Sequence, residues 1–138
     1  MSTDAVSLGD AIASLTFSDL RFDASGFAML DVRLRGPGLD ASLGCYVHDP
    51  RELAQYFRSL DAGWRGWSGE RRYASLEGEV VLSARHGRRI EIATSLGFVP
   101  GGDVSVGWSC TAGVSVEPGE QLAGFVRDFD GFLAASTR

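Results

Sequence analysis

Nucleophilic catalysis needs a serine or cysteine beside a histidine that an acidic residue orients. The chain has two histidines, His48 and His86, and two cysteines, Cys45 and Cys110. His48 precedes Asp49, which is predicted to cap a helix, and His86 falls in a predicted hairpin turn, so both are expected at the surface. Both cysteines fall on apolar strand faces, where a thiol is usually inert packing. They form no CxxC motif, so we expect two buried free thiols and no catalytic or metal site.

Other catalytic and cofactor signatures are absent from the sequence. All thirteen basic residues are arginine, which excludes Schiff-base chemistry and a lysine nucleophile. Gly63, Gly66 and Gly69 recur at intervals of three, but a phosphate-binding loop continues into GK[ST] and a helix, whereas a strand is expected here. Acidic residues are plentiful, but no motif places two of them together for general acid–base catalysis. We therefore predict no enzyme, no cofactor and no metal.

The segment "GWRGWSGERRY" at 63–73 holds two of the three tryptophans and three arginines. Tryptophan, tyrosine and arginine dominate binding hot spots, because they bury large areas and offer fixed donors. The candidate partner-binding residues are Trp64, Arg65, Trp67, Arg71, Arg72 and Tyr73. The alternative is a structural corner in which the two tryptophans pack onto the last turn of a preceding helix and Arg65 and Arg71 cover them.

Charge is distributed unevenly along the chain. The net charge is -5 and the isoelectric point about 4.9, which argues against nucleic-acid binding. Residues 65–89 nevertheless carry six arginines and three acidic residues. The net acidity favours a basic partner, because opposite charges steer association.

In the first half, apolar and polar residues alternate at 15–22, 27–35 and 39–47, which predicts an antiparallel meander. The run "HDPRELAQYFRSLDAG" then takes a helical spacing. Asp49 suits the N-cap, a proline occupies the first helical position, and Gly63 suits the C-terminal stop.

The second half repeats this order, with strands predicted at 76–85, 89–96 and 104–116 and a helix at 117–136. Both helices open alike, as "DPRELAQYFR" and "EPGEQLAGFVR". The similar starts of the two helices indicate an internal duplication. The alternative is that any helix that follows a strand favours an acidic residue and a proline at its start.

The predicted fold class is α+β, with six mainly antiparallel strands in a βββα-βββα arrangement and two helices packed on one face of a curved sheet. Residues 1–138 form one domain, and the halves of the possible duplication span about 15–63 and 72–135.

Two sequence blocks resemble an uncharacterised family of small proteins common in actinobacteria. The blocks are "GWRGWSGERRYASLEGEVVLSARH" and "VEPGEQLAGFVRDF", and the resemblance covers about 20–133. The positions that carry it are Trp64, Gly66, Trp67, Gly69, Arg71, Leu76, Glu77, Gly78 and 118–122. More remotely, the order of elements is similar to that of immunity proteins of wall-associated contact-dependent toxins. That similarity implies a small, acidic, non-enzymatic cytoplasmic protein that binds and blocks a toxin domain.

The first functional hypothesis is therefore a protein-binding module of immunity type. The alternative is a small-molecule or peptide-binding module with a cavity between sheet and helices near Trp108. The apolar runs are too short for a membrane span and the N-terminus lacks the basic start of a signal peptide, so a cytoplasmic location without membrane contact is expected. The protein is expected to be a monomer, or a homodimer paired through the long strand at 104–116.

Overall fold

Eight antiparallel strands and two helices build the protein, in a computed structural model that describes residues 4–103 and 105–136. The first sheet contains, in spatial order, β1 (Ala5–Gly9), β2 (Ser14–Phe22), β3 (Ala28–Gly36) and β4 (Leu39–Val47), and α1 (Pro50–Ala62) follows it. The second sheet contains β5 (Glu70–Ala74), β6 (Val80–His86), β7 (Ile90–Phe98) and β8 (Trp108–Val116), and α2 (Glu120–Ser136) follows it. A short 3-10 turn at Pro100–Gly102 lies between β7 and β8.

The structure is α+β and antiparallel, but the predicted six strands in a βββα-βββα arrangement on one curved sheet are wrong. The sequence pattern missed β1 and β5, and the strands divide into two sheets of four. Both missed strands have only five residues, too few for alternation to stand out. In β5, the sequence "ERRYA" also carries three charged side chains, which is atypical of a strand.

Two local predictions are confirmed: the alternation of buried and exposed residues along a strand, and the N-cap of α1. Along β3, the side chains of Ala28, Leu30, Val32 and Leu34 are buried while those between them are more exposed. The Asp49 carboxylate accepts the backbone N–H of the second helical residue at 3.0 Å, which confirms it as the N-cap of α1.

The two halves share one hydrophobic core. The helices pack against each other through Phe57, whose ring lies 4.8 Å from that of Phe125 and 5.7 Å from that of Phe129. Each helix also contacts the first strand of the other half, since α1 packs on β5 and α2 on β1. This exchange places the end of α1 beside β5, which is where the tryptophan-rich segment lies. Whether the two ββββα halves arose by duplication stays a prediction.

The two sheets are joined where β4 ends and β6 begins. The backbone carbonyl of Tyr46 accepts the N–H of Leu76 at 3.1 Å. The carboxylate of Glu79 accepts the Tyr46 N–H at 3.1 Å and the Ser75 hydroxyl at 2.8 Å. The residues "SLEGE" thus form a turn with Gly78 at φ +74°, where the sequence pattern predicted the start of a strand.

The last strand also starts later than predicted. The structure places β8 at Trp108–Val116, whereas alternation predicted 104–116, and Val104 lies outside the described residues. Trp108 is 40% exposed at the first position of β8, opposite Phe98 of β7. The alternation predicted that Trp108 would lie on the buried face of the strand. The apolar positions of β8 extend beyond the covered part of the second sheet, so Trp108 is exposed.

Neither helix in the described part of the chain has the length and the apolar character that crossing a membrane requires.

Candidate functional site

The chain turns sharply after α1, in a segment that we call the tryptophan corner (residues 63–73). Gly63 ends the helix, and its N–H donates to the carbonyl of Ser59 at 3.2 Å. A Cβ atom at Gly63 would lie 2.9 Å from both the Trp67 ring and the Arg71 guanidinium, so no larger residue fits. Gly66 adopts φ +131° and Gly69 φ +74°, conformations that favour glycine. The three glycines therefore shape the turn.

Trp67 packs inward at this corner, against the hydrophobic core. The Arg71 guanidinium carbon lies 4.4 Å from the centre of the Trp67 ring, and its Nη1 donates to the Ser59 carbonyl at 2.5 Å. The hydroxyl of Tyr56, on α1, donates to the Arg71 carbonyl at 2.9 Å. The Trp67 Nε1–H is buried without a hydrogen-bond partner in the described part of the chain. Trp67 and Arg71 thus join α1 to β5, whereas the structural alternative had packed both tryptophans on the last turn of the helix.

His86 holds the other side of the corner. Its ring packs edge-on against Trp67 at 5.1 Å between centres, and its Nε2 donates to the Trp64 carbonyl at 2.8 Å. His86 was predicted at the surface in the hairpin turn; it is the last residue of β6 and is half-buried. No sequence spacing could have found this contact, because it joins β6 to a loop 22 positions earlier.

Trp64 points the other way and is 50% exposed. The guanidinium carbon of Arg65 lies 5.0 Å from the centre of its ring. Arg72, on β5, and Arg88, in the turn that begins beside His86, are both exposed. We call Trp64 and Arg65 the contact face, whereas Arg72 lines a separate groove with His48, Glu52 and Tyr56.

The six predicted partner-binding residues therefore divide into two sets. Trp64, Arg65 and Arg72 are exposed, whereas Trp67, Arg71 and Tyr73 are partly buried. Burial raises the pKa of Tyr73 to about 12, with the carboxylate of Glu52 adding to the effect. The first set is available to a partner, and the second set holds the first in position.

The cysteines and the remaining histidine offer little chemistry. Burial raises the pKa of the Cys45 thiol to about 12, with Glu79 adding to the effect, so the thiolate is scarce at neutral pH. Cys110 is half-buried, and both thiols are free. His48 is exposed and lies 3.2 Å from the Glu52 carboxylate. Within the described ranges, neither histidine hydrogen-bonds to a serine, threonine or cysteine side chain, and no three acidic, histidine or cysteine residues converge as metal ligands.

A groove of about 380 Å³ lies near Trp108, between the two sheets. Leu43 and Tyr46 of β4 form one side, and Phe98 and Ser109 form the other. Its size is within the usual range for a small-molecule site. The alternative hypothesis had placed the cavity between sheet and helices.

Comparison with known proteins gives a family but no function. The searches of curated proteins and of solved structures found no match to this chain. A family model described as a family of unknown function, DUF6228, matches residues 6–136, which include the whole tryptophan corner and both helices. The expected membership of an uncharacterised family is therefore confirmed, and the chain belongs to the family of unknown function DUF6228.

Proposed function

We propose that this protein is a non-enzymatic protein-binding module and that it meets its partner through the contact face. The observation that carries the proposal is the opposite placement of two neighbouring tryptophans: Trp67 is partly buried against the core, while Trp64 is half-exposed on the same turn. An exposed tryptophan on a rigid turn contributes little to folding and is typical of a binding hot spot.

The rigidity of the corner supports this proposal. The Trp64 carbonyl is held by His86, and the residues that follow it are fixed by the Arg71 contacts with Trp67 and Ser59. A loop whose backbone is held before binding loses less conformational entropy when a partner covers it. The corner therefore presents Trp64 and Arg65 at a low entropic cost.

In its finer form, the proposal is an immunity-type role in the cytoplasm, in which the protein neutralises a cognate toxin domain. The resemblance in the order of elements and the net acidity support this role. It is tested by purifying the proteins encoded by adjacent genes, measuring their binding, and co-expressing each with this protein in growing cells. Binding together with rescue of growth is expected for a toxin domain. If no neighbouring protein binds or is neutralised, the immunity-type role is wrong.

Two matched variants locate the interface. Trp64→Ala should weaken partner binding at least about 30-fold. The matched variant Trp108→Ala removes another partly exposed tryptophan outside the corner. Loss with Trp64→Ala alone supports the contact face. Loss with Trp108→Ala alone contradicts it and places the interface at the β7–β8 end of the second sheet.

A ligand-binding module is the second candidate, and the groove near Trp108 favours it. A metabolite that fits there should raise the melting temperature of the wild type, and Phe98→Ala should remove that shift because Phe98 lines the groove. A metabolite panel that leaves the wild-type melting temperature unchanged counts against this candidate.

A further inference from the structure

The groove between the two sheets has acidic residues on its walls and no basic ones. Glu77 and Glu79 line it from the turn that joins the sheets. Phe98, whose side chain is 48% exposed, lines the opposite side. Among the described residues that line the groove, none is an arginine or a histidine. The groove therefore combines negative charge with an apolar wall.

The Glu79 carboxylate is held in place by neutral donors. It accepts the Tyr46 N–H at 3.1 Å and the Ser75 hydroxyl at 2.8 Å. An ionised carboxylate offers about four acceptor sites, so it can accept further hydrogen bonds. In the part of the chain that the structure describes, neither Glu79 nor the exposed Glu77 has a basic group within 4.0 Å. Both carboxylates are thus available to a cation from outside the chain.

Neighbouring charges do not neutralise these carboxylates. The Arg21 guanidinium approaches the groove wall at Gly44, where a Cβ atom would lie 3.4 Å from its Nη2. Arg21 is already paired with Asp31, however, at 3.1 Å. Burial raises the pKa of the Cys45 thiol, and Glu79 and Asp31 add to that effect, so the surroundings of this thiol are negative. The junction of the two sheets therefore carries negative charge that the chain leaves unbalanced.

We infer that the groove binds a small molecule that carries a primary ammonium or guanidinium group beside an apolar portion. The cation is placed against Glu77 and Glu79, and the apolar portion against Phe98. This inference rests on the second candidate function, the ligand-binding module, and names the chemical class of its ligand. Charge-assisted hydrogen bonds to a carboxylate are stronger than neutral ones, and the attraction increases where water is partly excluded.

The probe is phenethylamine, with phenethyl alcohol and hydrocinnamate as neutral and anionic compounds of similar shape. Each compound is titrated into the isotope-labelled full-length protein, and the backbone amide signals are followed by NMR. Phenethylamine should bind at least about 10-fold more tightly than either of the others, and its binding should weaken as salt rises. The amide signal of Tyr46 should shift, because its N–H donates to the Glu79 carboxylate.

Three matched variants locate the cation. Glu79→Gln removes the charge but keeps an acceptor for the Tyr46 N–H, and it should weaken phenethylamine binding at least about 10-fold. Glu77→Gln, at an exposed position, should weaken it about 2- to 5-fold. The control Glu120→Gln removes an exposed carboxylate in the first turn of α2, outside the groove, and should leave the affinity unchanged. If Glu79→Gln does not fold, Glu77→Gln decides the test.

The possible outcomes separate this inference from the ligand-binding function. If phenethyl alcohol or hydrocinnamate binds in the groove as tightly as phenethylamine, the cationic ligand is wrong and the ligand-binding candidate stands. Wild-type affinity in the variants of Glu77 and Glu79 has the same meaning, as do groove amides that phenethylamine leaves unshifted while another metabolite raises the melting temperature. A metabolite panel that contains amines and raises no melting temperature contradicts the ligand-binding candidate and the inference with it.

Discussion

The two tryptophans of the corner should differ sharply in what they contribute to stability. Replacing a fully buried large aromatic side chain by alanine costs about 3–5 kcal/mol, and Trp67 is only partly buried. Loss of the Arg71 stack adds about 0.5–1 kcal/mol, while removal of the unpartnered Nε1–H returns part of its cost of about 1–3 kcal/mol. We therefore expect Trp67→Ala to lower the free energy of unfolding by about 2–3 kcal/mol.

The matched changes have smaller effects. Trp67→Phe keeps a ring beneath Arg71 and removes the unpartnered N–H, so its stability should stay within about 1 kcal/mol of the wild type. Trp64→Ala loses only an exposed stack with Arg65, and we expect a cost below about 1 kcal/mol.

The assay is urea unfolding followed by far-ultraviolet circular dichroism, because tryptophan fluorescence would change with the substitutions themselves. The slope of the free energy against urea should be the same for all variants, so that midpoints compare directly. If Trp64→Ala lowers the free energy of unfolding as much as Trp67→Ala does, the division of the corner into a packed and an exposed side is refuted. If Trp67→Phe lowers the free energy of unfolding as much as Trp67→Ala does, the cost assigned to the unpartnered Nε1–H is refuted.

Other parts of the chain give three further predictions. Asp49→Ala should lower the free energy of unfolding in urea by about 1 kcal/mol, because it removes the N-cap. Asp49→Asn should retain most of that stability, and equal losses in the two variants would contradict the capping role. With a thiol reagent at neutral pH, Cys110 should react and Cys45 should not, so a fast-reacting thiol in Cys110→Ser would be inconsistent with the buried site. Stability should fall as pH rises from about 9 towards 12, because the folded protein keeps protons on Cys45 and Tyr73 that the unfolded chain releases near their ordinary pKa values of 9.0 and 10.0. Tyr73→Phe should flatten that decline in urea midpoints, and an unchanged slope would contradict the raised pKa.

Much of the fold follows from local patterns in the sequence. Alternation identified the long strands, and the residues Asp49 and Gly63 set both ends of α1. The pattern failed where a strand was short, as in β5, or where alternation ran past the covered part of a sheet, as at Trp108. It also did not show that the strands form two sheets, because the arrangement of those sheets depends on contacts between distant residues, such as Tyr46 with Glu79, 33 positions apart.

The candidate site was located by composition, but its two sides could not be separated from the sequence. Trp64 and Trp67 have the same residue type and similar neighbours, and only the path of β5 brings Arg71 over one of them. The contribution of His86 was likewise hidden, because it comes from a hairpin of the second sheet.

The most direct test of the contact face is the affinity of a neutralised neighbouring toxin domain for Trp64→Ala, measured by isothermal titration calorimetry beside Trp108→Ala. A hot-spot tryptophan contributes about 2 kcal/mol or more, so Trp64→Ala should weaken binding at least about 30-fold with its melting temperature nearly unchanged. Trp108→Ala should bind like the wild type. Wild-type affinity in Trp64→Ala would contradict the account and place the interface elsewhere on the protein.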